Sequence, residues 1–235
     1  MAKFYLTFFL PFVGFSLFAS SWPAARNALQ NKKYQEAIRI YSQLCREPMG
    51  FDCNNELGIA YLGIGNARKA RNLFFLALEQ KTDARVMTNL ARALYVNNEL
   101  QKADRHYRDA YALSPNNLVV GVNYAIYLLK ISRREKAHNV LLKMAKLYPN
   151  NFFVRLYLGI SYYLQRDYVR AEAHLSQGIA FNANYADLYY HRALVFYVKR
   201  EYGRALIDLE RAKILNPVEF KIKRMIRLIK KKKKI

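Results

Sequence analysis

Apolar and polar positions along this chain follow the period of helices rather than strands, and the helical blocks themselves recur. Residues 84–117 (ARVMTNLARALYVNNELQKADRHYRDAYALSPNN) show one block most clearly. Leu90, Ala91 and Leu94 form an apolar stripe at i, i+1, i+4; Ala103, Tyr107 and Ala110 form a second at i, i+4, i+7. The Asn-Asn pair between the stripes is a turn signal. Pro115 cannot continue the second helix, and it biases Ser114 away from helical angles. The block therefore predicts helix, turn, helix, turn.

The second stripe runs through the whole sequence. Ala37, Ala70, Ala103, Ala137, Ala171 and Ala205 are spaced 33, 33, 34, 34 and 34 residues apart. Each is followed four residues later by a bulky side chain, namely Tyr41, Phe74, Tyr107, Leu141, Leu175 and Leu209. Pro115, Pro149 and Pro217 follow three of the alanines by twelve residues. Such a period predicts stacked small units, with alanine where helices approach closely and the bulky residue filling the gap beside it. Stacks of this kind serve recognition across a surface more often than chemistry.

These positions resemble the tetratricopeptide repeat, whose W-x2-L-G-x2-Y…A-x3-F…P pattern has a 34-residue period. Residues 51–84 match it at Leu57, Gly58, Tyr61, Ala70 and Phe74, and residues 152–185 at Leu158, Gly159, Tyr162, Ala171 and Leu175. Residues 118–151 contribute Tyr124, Ala125, Leu128, Ala137, Leu141 and Pro149. Residues 186–219 contribute Ala193, Phe196, Ala205, Leu209 and Pro217. The resemblance implies an all-α fold, a right-handed superhelical α-solenoid of helix-turn-helix repeats with a C-terminal capping helix. Five repeats are expected at 51–83, 84–117, 118–151, 152–185 and 186–217. A partial unit precedes them at 22–50, and a capping helix with a basic tail follows at 218–235.

The first 21 residues do not fit the repeat. Met1-Ala2-Lys3 is short and basic, residues 4–18 are almost wholly apolar, and Ala19-Ser20-Ser21 are small. That is the layout of a secretory signal peptide with cleavage near Ala19 to Ser21. Fifteen apolar residues rise only about 22 Å as a helix, short of the roughly 30 Å of a bilayer core. An uncleaved anchor reading on through Trp22 is the other reading, with inner-membrane association. Either places the protein outside the cytoplasm, in the periplasm or its equivalent. Cys45 and Cys53 fit export: they lie near each other on consecutive antiparallel helices, and an oxidising compartment would let them pair. Two buried free thiols are the alternative. Their spacing matches no four-ligand zinc pattern.

Thirty-nine basic residues oppose seventeen acidic ones, a net charge of +22. Residues 221–235 hold nine of the basic residues and no acidic one. The stripe Val218, Ile222, Met225, Ile226 and Ile229 reads as a helix covering the last repeat. Lys230, Lys231, Lys232, Lys233 and Lys234 extend beyond it. They complement the helix dipole, and they could also contact anionic lipid or cell-wall polymer. In a cytoplasmic protein this balance would suggest nucleic acid; export removes most of that expectation.

In the tetratricopeptide family, first helices line a groove through the second, fifth, sixth, ninth, twelfth and thirteenth positions of each unit. Carried onto this sequence, those positions include Asn55, Arg85, Asn89, Arg92, Asn123, Phe153, Tyr157, Tyr163, Tyr190, His191 and Tyr197. An asparagine amide offers a donor and an acceptor, so Asn89 and Asn123 could hold a peptide main chain. They could equally be polar residues on a solvated face. Arg85 and Arg92 flank Asn89 in a setting suited to a carboxylate. Toward the C-terminus, Val122, Ile126, Phe153, Leu156, Tyr157, Ile160, Tyr163, Tyr190 and Tyr197 make the groove apolar and aromatic, apart from the packing stripe.

His106 and His174 share a phase on second helices two periods apart, so they are not expected to bind one metal. No HExxH, GxSxG, P-loop or GxGxxG motif occurs. The expectation is a non-enzymatic adaptor or scaffold in a cell-envelope assembly, without cofactor, binding an extended peptide or a helix. A periplasmic holder of apolar segments and a tether acting through the lysine tail are the alternatives.

Overall fold

The structure, a computed structural model, describes residues 14–45 and 49–232, with side chains from Trp22 onward. Among these residues the chain is thirteen α-helices and no strand. They are α1 (Gly14–Gln30), α2 (Tyr34–Leu44), α3 (Phe51–Gly63), α4 (Ala67–Gln80), α5 (Ala84–Val96), α6 (Leu100–Leu113) and α7 (Leu118–Lys130). Then follow α8 (Arg134–Leu147), α9 (Phe152–Leu164), α10 (Tyr168–Phe181), α11 (Ala186–Val198), α12 (Tyr202–Leu215) and α13 (Phe220–Lys232). The chain forms two compact units, residues 1–109 and 110–235, with the division inside α6. The architecture is an all-α helical-repeat solenoid.

The first helices α3, α5, α7, α9 and α11 are each 13 residues long, and the second helices α4, α6, α8, α10 and α12 are each 14. Chemically simple signals fix these lengths. Asp83 and Asn117 begin α5 and α7 by accepting two backbone N–H bonds each, at 2.8 and 3.2 Å and at 3.0 and 3.2 Å. Asn151 accepts from Val154 at 3.1 Å to begin α9. The helices α6, α8 and α12 each end two residues before Pro115, Pro149 and Pro217.

Between first and second helices the same turn appears six times. Lys32, Gly65, Asn98, Ser132, Arg166 and Arg200 have φ of 59°, 84°, 62°, 61°, 65° and 64°, the left-handed region. The residue after each donates its backbone N–H five residues back, as Glu99 does to Leu94 at 2.9 Å and Glu201 to Phe196 at 2.8 Å. This is the Schellman closure, which satisfies carbonyls left open at a helix end. Each left-handed residue stands five before a repeat alanine.

All six of those alanines are 0% exposed, and their bulky partners at most 4%. In the first unit one cluster joins Ala25, Ala37, Tyr41, Leu57, Ala60 and Leu73, and another joins Ala70, Phe74, Val86, Leu90 and Leu94. In the second unit Ala193, Phe196, Ala205 and Leu209 pack with Ile222, Ile226 and Ile229 of α13. The first-helix position facing the bulky residue must be small. A Cβ on Gly58 would lie 2.6 Å from Phe74 Cε1, and one on Gly159 2.6 Å from Leu175 Cγ.

Cys45, the residue closing α2, is bonded to Cys53 in the first turns of α3, with Cα atoms 5.7 Å apart. The helix α1 runs through the expected cleavage region Ala19–Ser21 and holds Pro23 inside it. Residues 1–13, most of the expected signal segment, lie outside the described residues. Among the described residues no helix is long and apolar enough to cross a membrane.

Candidate functional site

In the second unit the caps Asn117 and Asn151 start α7 and α9 in the same register, 34 residues apart. Equivalent positions of the two helices therefore come side by side. A pocket of about 240 Å³ opens there, lined by Leu118, Val119, Val122, Asn123, Ile126, Asn151, Phe153 and Tyr157. No lining residue is charged. Phe153 is 38% exposed and its ring lies 4.3 Å from Phe152 and 5.1 Å from Tyr185. Asn123 Nδ2 donates to the Val119 carbonyl at 2.8 Å. That bond turns the amide along its own helix and uses one of its two N–H donors.

The sequence reading set Val122 and Leu156 apart from the packing stripe. The structure buries both, at 7% and 2% exposed, because the fifth position of a first helix points between neighbouring helices. Val122 still forms part of the pocket wall; Leu156 leaves the groove for the core.

Farther along the second unit, Tyr163, Tyr190, His191 and Tyr197 are half-buried. Tyr163 lies 5.8 Å from Tyr168, and Tyr190 meets His191 edge-on at 5.3 Å. Burial pushes the phenols of Tyr163 and Tyr190 up, with Lys221 opposing at Tyr190. Burial pushes the His191 imidazole down to about 4, with Asp187 opposing and Lys221 adding.

The helix α13 continues to Lys232, and Ile229 in its last turns is 0% exposed. Lys230 lies 4.0 Å from Glu210, and Lys232 Nζ sits 5.2 Å from the centre of the Tyr197 ring. Val218, expected in the apolar stripe, precedes α13 and is 84% exposed. Lys233 and Lys234 lie outside the described residues.

In the first unit the structure brings Asn55 and Asn89 together, with Asn89 Nδ2 donating to Asn55 Oδ1 at 3.4 Å. Arg85 folds back on its own helix cap, Nη2 to Asp83 Oδ2 at 3.1 Å, rather than standing beside Asn89 for an incoming carboxylate. Its pairing with Asp83 holds the guanidinium above and the carboxyl below their usual ranges. Arg92 is exposed.

Sequence reasoning missed a larger recess of this unit, about 800 Å³ beside α4 and α6. Phe75 and Leu76, 56% and 43% exposed, border it, with Arg71 bonded to Glu99 at 2.8 Å and Lys102 to Glu99 at 2.9 Å. Its one sequence mark is the pair Phe75-Leu76 beside the packing residue Phe74.

The histidine expected to match His106 has a nearer companion. His174 stacks on Tyr162 at 5.3 Å, and His138 meets the same ring in a T-shaped contact at 4.8 Å. His138 Nδ1 is 3.1 Å from Ser161 Oγ, and Arg155 reaches His174 Nδ1 at 3.3 Å. No group of three or more His, Cys, Asp or Glu among the described residues could hold a metal ion.

Comparison with known proteins follows the same lines. Residues 55–117 match the family profile described as tetratricopeptide repeat. A thermophilic tetratricopeptide-repeat protein from Thermus thermophilus superposes with a TM-score of 0.68 at 19% identity, over 76% of this chain and 98% of that one. The pilF protein of Pseudomonas aeruginosa gives 0.64 at 27% identity, over 71% and 76%. PilW, described as a widely conserved type IV pilus biogenesis factor, gives 0.65 at 18% identity, over 72% and 79%. The chain spans only 38% and 18% of the lengths of two curated relatives, from Bos taurus and Mus musculus, at 22% and 26% identity. The repeat profile makes residues 55–117 tetratricopeptide repeats, and with the helix-turn-helix period these likenesses show that the chain has the fold of tetratricopeptide-repeat proteins.

Proposed function

We propose that this chain is a non-enzymatic scaffold that holds an extended segment or helix of a partner protein against the first helices of its second unit. The uncharged pocket between α7 and α9 carries the reading. Its walls offer apolar area to a partner side chain, and Asn123 offers an amide to the partner's main chain. Partly exposed aromatics such as Phe153 and Tyr157 are the residue types that anchor such interfaces. The joint variant Phe153→Ala with Tyr157→Ala should weaken partner binding by about 2 kcal/mol or more. Unchanged retention of a co-purifying partner by that folded variant would sink the reading.

A site in the cell envelope is proposed on two grounds, the Cys45–Cys53 bond and the apolar run 4–18. PilW's described role in pilus biogenesis is that protein's own, and makes an envelope assembly the first to test here. Thiol labelling of freshly lysed cells should find both cysteines protected until a reductant is added. On the chain-entropy estimate, losing this bridge lowers stability by about 2–3 kcal/mol. A second reading is a tether to anionic lipid or polymer through the exposed Lys230, Lys231 and Lys232.

A further inference from the structure

The helix α13 begins at Phe220, 34 residues after α11 begins at Ala186. It therefore stands one repeat period farther on, in the place of another first helix, and not merely as a lid on the last hairpin. Counted from its start, the groove-facing second, fifth, sixth, ninth and twelfth positions are Lys221, Arg224, Met225, Leu228 and Lys231. All five line a recess of about 630 Å³, completed by Tyr190, Phe220 and Arg227. The capping helix thus continues the groove face of the second unit.

Its chemistry is unlike that of the α7–α9 pocket. Four of the lining side chains are cations and none is an acid. Lys221 is partly answered, with Nζ 2.9 Å from Asp187 Oδ1 and 4.9 Å from the centre of the Tyr190 ring. Arg227 lies 5.9 Å over the Phe220 ring. Arg224, Arg227 and Lys231 form no ion pair with the described residues. Tyr190, Phe220, Met225 and Leu228 stand among the cations, with Phe220 and Leu228 exposed.

We propose that this recess binds an acidic stretch of the partner protein, one carrying an aromatic or aliphatic side chain among its carboxylates. The partner segment then lies in one direction, its acidic part on α13 and its apolar part over α7 and α9. This rests on the groove-binding reading above. Arginine forks match carboxylates in two parallel hydrogen bonds, and the apolar side chains beside them offer contact to an apolar residue of the partner. Tyr190 of α11 and seven residues of α13 form the lining, cations set among apolar side chains. That mixture, continuous with the groove positions of the second unit, favours an acidic peptide carrying apolar side chains over headgroups alone.

The test uses the full chain and three probes: a labelled peptide with a glutamate run beside a phenylalanine, a labelled neutral peptide of leucine, valine and asparagine, and phosphatidylglycerol vesicles. Arg224→Glu with Arg227→Glu alters exposed residues, and circular dichroism checks that the variant folds. The expected result is acidic-peptide binding that weakens at least about tenfold in this variant, the equivalent of one lost charge-assisted contact, and also falls with salt. Neutral-peptide binding should be unmoved by it and should instead fall with Phe153→Ala and Tyr157→Ala. Neutral-peptide binding that depends on Phe153, without acidic-peptide binding that depends on Arg224, overturns this inference and leaves the groove reading standing. Insensitivity of both peptides to both variants overturns the groove reading itself. Charge reversal that abolishes vesicle binding alone makes the recess a lipid contact, and the inference fails.

Discussion

At the residue scale, the position most constrained by geometry is the left-handed residue of each helix-to-helix turn. Only Gly65 of the six lacks a Cβ; Lys32, Asn98, Ser132, Arg166 and Arg200 all carry one there. A side chain in this region costs about 1–2 kcal/mol, less for asparagine, whose short amide bonds locally. Replacing Arg166 or Arg200 by glycine relieves that cost but adds chain entropy to the unfolded state. The balance predicts a gain of up to about 1 kcal/mol for each in urea unfolding. Gly65→Val should lose about 1–2 kcal/mol, because a β-branched residue fits this region worst. Equal midpoints for all three variants would mean the turn relaxes freely. Asn98 could be read as a turn residue from its type, and Arg166 and Arg200 could not. Arginine has no turn preference; the Schellman closure between two anchored helices imposes their conformation.

At the element scale, a two-pronged ion pair joins α11 to α12. Arg192 meets Asp208 with both prongs, at 2.7 and 2.8 Å, and bonds Ser176 Oγ at 3.0 Å. Asp208 is 3% exposed. Removing the arginine leaves a buried carboxylate without its partner. Arg192→Met is therefore expected to cost about 3–5 kcal/mol, and Arg192→Met with Asp208→Leu to regain most of it. A double variant no more stable than the single one would refute a charge-compensation origin. The sequence gives little sign of this pair, because Arg192 and Asp208 are 16 residues apart on different helices and fall outside the repeat signature. The alanine period, by contrast, marks every hairpin in advance, since packing at that position tolerates only a small side chain.

At the scale of the whole molecule, charge and buried histidine act in the same direction. His106, His138, His174 and His191 all have imidazoles held below the usual range, burial being the main cause in each. A histidine with a depressed folded pKa takes up its proton more readily when unfolded. Its contribution to stability is therefore present above about pH 6.5 and is lost as the pH falls toward the folded value. For His191 the window runs from about 6.5 down to about 4, worth on the order of 2 kcal/mol. Each added proton also raises a net charge already at +22, and self-repulsion adds to the loss. Denaturation midpoints should fall between about pH 7 and about pH 4, and His191→Gln should flatten the slope. A slope unaltered in that variant would remove His191 as a cause.

The sequence by itself determined the all-α class and the small-against-bulky packing pair, because each depends on short-range spacing that repeats. It also placed Asn123, Phe153 and Tyr157 on one face, since a helix of known start fixes which side chains share a side. Tertiary structure alone decided which of those side chains remain open. Val122 and Leu156 obey the groove numbering yet are buried, because their exposure depends on how far the neighbouring helix leans over them. It also decided that Arg85 is spent on Asp83, that His174 pairs with His138 around Tyr162, and that α13 takes the place of a first helix with a cationic face. These are outcomes of competition among partners distant in sequence, and a repeat period names the competitors without choosing between them.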